Sequence, residues 1–528
     1  MATNSNRSPL LSLPNELIIT ISSYVSPDDI VNLSVACKQL HACTIDTLKL
    51  HREYHEKYRV CHDRQPLNIP TLLRTVLSDP LVAWHVRALE SWGVRPEWKD
   101  WRSWSLSHGY HNVNSHRDDE PTDEEYKNWP EPYEDHSGLD ETFFSSDELV
   151  QYEKTMRDQY CLQDVEVEEW MKRMKAGNDE PLRTMLISCA PWIQKAMFVA
   201  YPSWDGIVLQ EKHPLTFMCL AIHRIAETPN PVWPLGFQSL TYVAPNNISA
   251  VMRHPHEAYY ANPFEIVPLF QLPNIKTLSF TLLGYNGNDE EDIYDIEPRS
   301  SSVQHLHFHV VDLPWETLRK MINASKTLKT FTGTRKKELV GFLAENYGDS
   351  LEWLFECDNA FELQRFPALK RIDSLRLPYF FEDKDCVSKM TNFFTENLPP
   401  TIEYITFTTA HISPGEIYSF RTRKAALTGQ RDLLLAIVNL INNPRFGALK
   451  EICLFNACGS LPSSAPEDED IPMYQWDEEL VSELTAKGVK LHLPGVESWC
   501  MSWEKHYKIH PTKFDVLETD PTRERGYG

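Results

Sequence analysis

The sequence predicts an α/β solenoid in which a short helical unit precedes a long series of strands and helices. Residues 10–40 carry apolar side chains at helical spacing. Further along the chain, eleven short apolar segments recur, and helix-like stretches separate several of them. One strand–helix pair cannot bury its apolar face alone, so we expect neighbouring copies to stack into one continuous core.

Composition limits the classes of protein to which the chain can belong. It has 528 residues, of which 42% are hydrophobic, so we expect more than one ordinary domain with a large core. The net charge of −23 argues against nucleic acid and anionic membranes as main partners. No window approaches the roughly 18 apolar residues of a membrane span, and no secretory signal is evident. The eleven cysteines form no CxxC pair, so we expect reduced thiols and a cytoplasmic and/or nuclear location.

The first predicted helix begins near Pro14, because proline is tolerated where the first helical N–H groups lack partners. Leu17, Ile18 and Ile21 then form an apolar stripe. The stretch after Ser26 predicts a second helix with Ser26 as its N-cap. Together these short helices present more apolar surface than they can hide, and such surface usually marks a partner site.

The order and spacing of these residues resemble the F-box, over about residues 8–50. The matching positions are Leu13-Pro14-x-Glu16-Leu17, Ile21, Tyr24-Val25, Pro27-x-Asp29, Leu33 and Val35-x-Cys37-Lys38-x-Leu40. The resemblance implies docking onto the Skp adaptor, and through it cullin, of a cullin-RING ubiquitin ligase. It places these residues at or just behind that interface: Leu13, Pro14, Leu17, Ile18, Ile21, Leu33, Val35 and Cys37. An ordinary buried helical hairpin is the alternative.

The repeated apolar segments are expected to form one domain over residues 83–495, after a helical linker at 51–82. They start at residues 86, 193, 237, 275, 303, 328, 351, 372, 402, 449 and 489. From 275 to 372 the starts are 28, 25, 23 and 21 residues apart, near the period of about 20 to 29 residues of leucine-rich repeats. This favours an irregular leucine-rich-repeat-like horseshoe, and unrelated α/β strands are the alternative. Residues 74–93 also resemble the segment that follows the F-box in many fungal F-box proteins.

Two segments are expected to lie outside the repeats. Residues 116–150 are dense in Asp, Glu and Pro, which predicts a solvated insertion. Residues 496–528 form the C-terminal tail.

Catalytic signatures are missing from the sequence. No HExxH, GxSxG or GxxxxGK[ST] motif is present, so we expect no enzymatic activity and no cofactor. His305, His307 and His309 fall on one face of a predicted strand. No carboxylate or cysteine completes a clear ligand set, so we expect an exposed histidine-rich face and no metal site.

The resemblance therefore predicts a substrate-recognition subunit of an SCF-type ubiquitin ligase. An unidentified target protein is expected to meet side chains that alternate with the buried ones along the strands. The predicted target-binding residues are Trp353, Phe355, Tyr404, His305, His307 and Arg376. The alternatives are a binding scaffold that acts without ubiquitylation and an enzyme with an unrecognised C-terminal catalytic domain.

Overall fold

The computed structural model of the chain contains two compact units, Met1–Ile275 and Lys276–Gly528. It describes residues 9–63, 68–91, 95, 97–101, 142–199, 215–247, 263–284, 296–333, 336, 338–357, 360–376, 385–408, 423–454 and 477–493. The predicted C-terminal tail and residues 116–141 of the acidic insertion lie outside the described residues. No helix in the described part of the chain is both long enough and apolar enough to span a membrane.

The first unit begins with three helices, α1 (Asn15–Ser22), α2 (Pro27–Ala36) and α3 (Lys38–Tyr58). Arg59 separates α3 from the first strand, and the carbonyl oxygen of Arg59 accepts backbone hydrogen bonds from Arg87 and Ala88 at 3.0 Å. The helical region is therefore joined to the α/β region without an intervening loop.

Four strands of the first unit pair in parallel and in chain order. They are β1 (Val60–His62), β2 (Ala88–Ser91), β3 (Lys195–Val199) and β4 (Tyr242–Asn247). The connections contain α4 (Asn68–Ser78), α5 (Pro80–His85) and the helices Ser146–Asp158, Asp164–Ala176, Asp179–Cys189, Thr216–Ala226 and Leu235–Ser239. A short helix, Pro263–Ile266, follows β4.

The second unit repeats the same arrangement of parallel strands in chain order. Its strands are β5 (Thr277–Gly284), β6 (His305–Asp312), β7 (Thr330–Thr332), β8 (Trp353–Cys357), β9 (Arg371–Arg376), β10 (Tyr404–Thr408), β11 (Glu451–Leu454) and β12 (Lys490–His492). Between them lie the helices Trp315–Asn323, Leu339–Tyr347, Cys386–Asn397, Arg423–Asn442 and Glu478–Ala486. Each unit is thus a parallel α/β structure.

Buried apolar side chains stand in register across these strands. In the second unit, successive strand pairings align Leu278, Leu306, Phe331, Leu354, Ile372, Ile405, Ile452 and Leu491. Apart from Leu491, these side chains are almost completely buried. Each predicted apolar segment overlaps a strand, because the recurring apolar positions are the ones that fill the core.

Two predicted segments have the wrong frame. Phe237 was expected to open a repeat, but Val243 pairs with Ala196 and is therefore the central position of β4, so the buried Leu240 takes the opening position. Ile372 was expected to open a repeat, whereas it pairs with Leu354 and Ile405 and therefore occupies the central position of its strand. Leu369, which is also buried, takes the opening position, so this spacing from Leu351 is 18 residues. The error at Ile372 arose because Leu369, Ile372 and Leu375 are all buried, so the apolar pattern fits either frame.

Two further differences concern the linker and the acidic insertion. The linker at 51–82 was expected to be helical, but it includes strand β1, which is too short to show a period. The insertion was expected to extend to residue 150, whereas the helix Ser146–Asp158 begins inside it with a capping box between Ser145 and Glu148. Nε of Arg74, which lies in α4, is 2.6 Å from Oε1 of Glu148, and this ion pair connects the helix Ser146–Asp158 to α4.

Candidate protein-docking sites

The N-terminal helices have a core of only a few side chains. Ile18 of α1 packs with Leu40 and Cys43 of α3, and all three are buried. The partly buried residues around them are Leu10, Leu11, Leu13, Leu33 and Cys37. So small a core leaves most of the other apolar side chains of these helices facing solvent.

Several large apolar side chains on and beside these helices are exposed. Leu17 is 51% exposed, Ile21 41% and Val35 75%. The other large apolar side chains exposed on α1, α2, α3 and the connection after α1 are Ile19, Tyr24, Val31, Ile45 and Leu50. Exposed apolar surface on this scale is typical of a protein–protein interface.

Local hydrogen bonds determine where these helices begin. Pro14 caps α1, and its carbonyl oxygen accepts the backbone N–H groups of Leu17 and Ile18 at 3.0 and 3.2 Å. Ser26 caps α2: its hydroxyl accepts the N–H of Asp29 at 3.3 Å and donates to the Asp29 carboxylate at 2.8 Å. The side chain of Gln39 donates to Asn15 at 3.1 Å and ties α3 to α1.

The eight residues predicted to form or support the adaptor interface separate into two groups. Pro14, Leu17, Ile21 and Val35 are exposed. Leu13, Ile18, Leu33 and Cys37 pack in or against the small core and support the exposed group from behind. The structure brings both groups together on these helices.

A second candidate surface lies on the strands of the second unit. The first residues of its strands form one row across the sheet, namely Thr277, His305, Thr330, Trp353, Arg371, Tyr404, Glu451 and Lys490. A second row, two residues further along each strand, contains Ser279, His307, Thr332, Phe355, Asp373, Thr406, Cys453 and His492. Both rows alternate with the buried apolar row.

The two rows differ in exposure, which corrects part of the predicted target-binding set. His305, Trp353 and Tyr404 are partly exposed. His307 is only 3% exposed and Phe355 only 7%, so neither is an exposed contact residue in this structure. The alternation of side chains along a strand predicts which ones point away from the core. It does not predict whether other residues bury them on that face. The side chain of Arg376 lies outside the described residues.

The histidines of β6 make hydrogen bonds within the sheet. His305 Nδ1 lies 2.9 Å from Thr330 Oγ1, and His307 Nδ1 lies 2.9 Å from Thr332 Oγ1. The side chain of His309 lies outside the described residues. Among the described residues, no group of three His, Cys, Asp or Glu is placed to hold a metal ion.

Arg371 and Asp373 are the strand residues that the sequence analysis missed. The guanidinium of Arg371 lies 4.6 Å from the ring centre of Trp353 and 5.9 Å from that of Tyr404. Asp373 accepts hydrogen bonds from Arg371 Nε and Trp353 Nε1, both at 2.7 Å. The frame error at Ile372 had placed Arg376 among the outward positions in place of this pair. A frame that starts at Leu369 would have found the pair.

Comparison with known proteins identifies the N-terminal region. A family model described as F-box-like matches residues 10–57. The match ends one residue before α3 ends, so the matched segment is the set of helices that carries the exposed apolar surface. No curated protein matches the chain significantly. The chain therefore has an F-box-like domain followed by an α/β body, and such a domain is a general feature of SCF substrate-recognition subunits.

Proposed function

We propose that this protein is a substrate-recognition subunit of an SCF-type cullin-RING ubiquitin ligase. In this proposal the F-box-like domain binds the Skp adaptor, and the adaptor connects it to cullin. The α/β body, as an irregular leucine-rich-repeat-like domain of the kind that fungal F-box proteins carry, binds a target protein. The chain itself catalyses no reaction, and it acts in the cytoplasm and/or the nucleus.

One observation carries the proposal. The segment that matches the F-box-like family is also the segment in which Leu17, Ile21 and Val35 are exposed over a very small core. Apolar side chains exposed in this way are unfavourably placed in water, so their removal from water by a partner stabilises the complex. The regular parallel strands support a repeat-like body, because each unit pairs its strands in chain order.

The body's contribution to ubiquitylation would be proximity. A receptor that holds a target beside a charged ubiquitin-transfer enzyme raises the effective concentration of target lysines. Such a role needs a firm connection between the two binding regions. The direct passage from α3 through Arg59 to β1 supplies the part of this connection that lies in the first unit.

The test is adaptor binding by the variant Leu17→Ala/Ile21→Ala in the full-length chain. Buried apolar anchors cost about 2 kcal/mol or more each when truncated, so we expect adaptor affinity to fall at least about a hundredfold. Val150→Ala/Val165→Ala is the matched control, because both valines are exposed on helices outside the F-box-like domain. Adaptor binding should survive in the control.

Co-purification distinguishes this proposal from its alternatives. Recovery of both adaptor and cullin with the wild-type chain supports the ligase assignment. Recovery of the adaptor without cullin would indicate a scaffold that does not ubiquitylate. Full adaptor binding by Leu17→Ala/Ile21→Ala would contradict the assigned surface.

A further inference from the structure

We propose that Trp353, Arg371 and Tyr404 form a docking site for an acidic side chain of the target protein, with Arg371 as the residue that binds its carboxylate. This inference rests on the proposed function, since it names the kind of target segment that the body recognises. It concerns the second unit alone.

Arg371 is held in place before any partner arrives. The two aromatic rings lie 4.6 and 5.9 Å from its guanidinium, and Asp373 accepts from Nε at 2.7 Å and from Nη2 at 3.3 Å. Asp373 is fixed in turn by Trp353 Nε1 and by the hydroxyl of Thr406, each at 2.7 Å. A side chain fixed in this way loses little conformational entropy on binding.

One edge of the Arg371 guanidinium remains available. Within the described part of the chain, Nη1 has no hydrogen-bond partner, and the side chain keeps 23% of its surface exposed. The hydroxyl of Tyr404 has no partner in this same part of the chain, and Tyr404 is partly exposed. An N–H donor and a hydroxyl donor beside two aromatic rings make a polar site with apolar walls.

Charge on this side of the sheet favours an acidic partner. Among the residues directly before the eight described strands of the second unit, four are lysines and two are glutamates, namely Lys276, Lys329, Lys370, Lys450, Glu352 and Glu403. Glu352 and Glu403 are each paired with a lysine from the next strand, Lys370 and Lys450. Lys276 and Lys329 have no ion-pair partner among the described residues. Around Arg371 the pairs with Asp373, Lys370–Glu352 and Lys450–Glu403 balance in charge. The positive charge complementary to an acidic segment therefore comes from Lys329 and Lys276, which stand two and four strands away along the same sheet.

The site favours a carboxylate over a phosphate. Asp373 already occupies the Nε and Nη2 edge, so Arg371 cannot offer its paired donors to a partner. A phosphate dianion gains most from several free cationic donors, and the negative charge of Asp373 would repel its double charge more strongly than the single charge of a carboxylate. A single carboxylate needs only the free edge of Arg371 and the Tyr404 hydroxyl.

The experiment uses the full-length chain bound to its adaptor and an array of nine-residue peptides. Each peptide that contains Glu or Asp is printed beside a copy with Gln or Asn and a copy with phosphoserine at the same position. We expect binding of acidic peptides to exceed that of their amide copies by about ten- to a hundredfold, the range of a charge-assisted hydrogen bond. Equal binding of acidic and amide copies, or binding of the phosphoserine copies alone, would overturn the proposal.

Substitutions test whether Arg371 is the residue that causes the preference for acidic peptides. Arg371→Gln should abolish it, and Arg319→Gln should preserve it, because Arg319 is an exposed arginine on a helix of the same unit. If Arg371→Gln unfolds because Asp373 loses its partner, Arg371→Gln/Asp373→Asn removes both charges together and decides the point. An acidic preference that persists in a folded Arg371 variant contradicts the assignment.

Recovery of the adaptor with the wild-type chain distinguishes a failure of the docking site from a failure of the proposed function. A wild-type chain that binds adaptor and shows no acidic preference contradicts only the docking site. A wild-type chain that binds no adaptor contradicts the ligase assignment, whatever the peptide array shows.

Discussion

His51 Nδ1 lies 3.0 Å from His85 Nε2, and this contact joins α3 of the F-box-like domain to α5 of the α/β body. His85 is 2% exposed. The groups around the pair are Tyr54 and His55 from α3, Trp84 from α5 and Arg87 just after α5. One of the two facing nitrogens must accept the proton that the other donates, so the contact excludes protonation of both rings at once. Burial lowers the pKa of both His51 and His85 and favours the uncharged pair.

Acid should weaken this junction. Burial, followed by the charges of His51, Arg87 and His55, lowers the pKa of His85 from 6.5 to about 4. As pH falls below 6.5 the unfolded chain takes up this proton before the folded one does, so the free energy of unfolding decreases. We expect a loss of about 1–2 kcal/mol between pH 7 and pH 5, measured by urea unfolding. His85→Phe should reduce this pH dependence, and an unchanged slope in that variant would disprove the role of His85.

A buried ion pair should hold the body of the first unit together. Arg95 Nη1 lies 3.0 Å from Asp63 Oδ2, and both side chains are almost completely buried. Asp63→Ala leaves the guanidinium charge buried without that carboxylate, so we expect a loss of about 3–5 kcal/mol of unfolding free energy. Glu316→Ala is the control, because its pairing with Arg319 is exposed and should contribute at most about 1 kcal/mol. Similar losses in chemical unfolding of the two variants would contradict this prediction.

A glycine lets two helices of the first unit approach closely. A Cβ added at Gly236 would lie 1.8 Å from the carbonyl oxygen of Ile187. Gly236→Ala should therefore force the helices Leu235–Ser239 and Asp179–Cys189 apart and cost about 2 kcal/mol or more. In Gly447→Ala the nearest atom would be 3.7 Å away, so that variant should unfold near the wild-type temperature. A wild-type melting temperature for Gly236→Ala would show that the approach is not required.

Most of the acidic insertion should be dispensable for folding. Deletion of residues 117–140 removes a charged, proline-rich stretch of a kind that buries little. It spares Phe144, which is buried, and Phe143, whose ring lies 4.5 Å from the Arg74 guanidinium. We expect a melting temperature close to that of the wild type. Phe144→Ala should lose about 3 kcal/mol or more, and a deletion as damaging as that substitution would contradict the prediction.

The residue pattern alone was sufficient to predict the first two N-terminal helices, an apolar segment overlapping each described strand except β1, and the apolar residues of the F-box-like domain. These features depend on local signals. Ser26 caps a helix wherever it is followed by a suitable turn, and apolar residues at a regular interval fill a core in almost any packing. Strand β1 was not predicted because its residues, Val60–His62, are too few to show a period.

Only the tertiary structure decided which neighbours these residues meet. Ile372 could be placed in either of two frames by its apolar neighbours, and pairing with Leu354 and Ile405 selected one of them. That choice turned Arg371 towards Trp353 and Tyr404, and it is the basis of the proposed carboxylate site. Burial of Phe355 and the contact between His51 and His85 are likewise invisible along the chain. Both depend on packing between segments that are distant in sequence, and the local spacing of residues does not determine that packing.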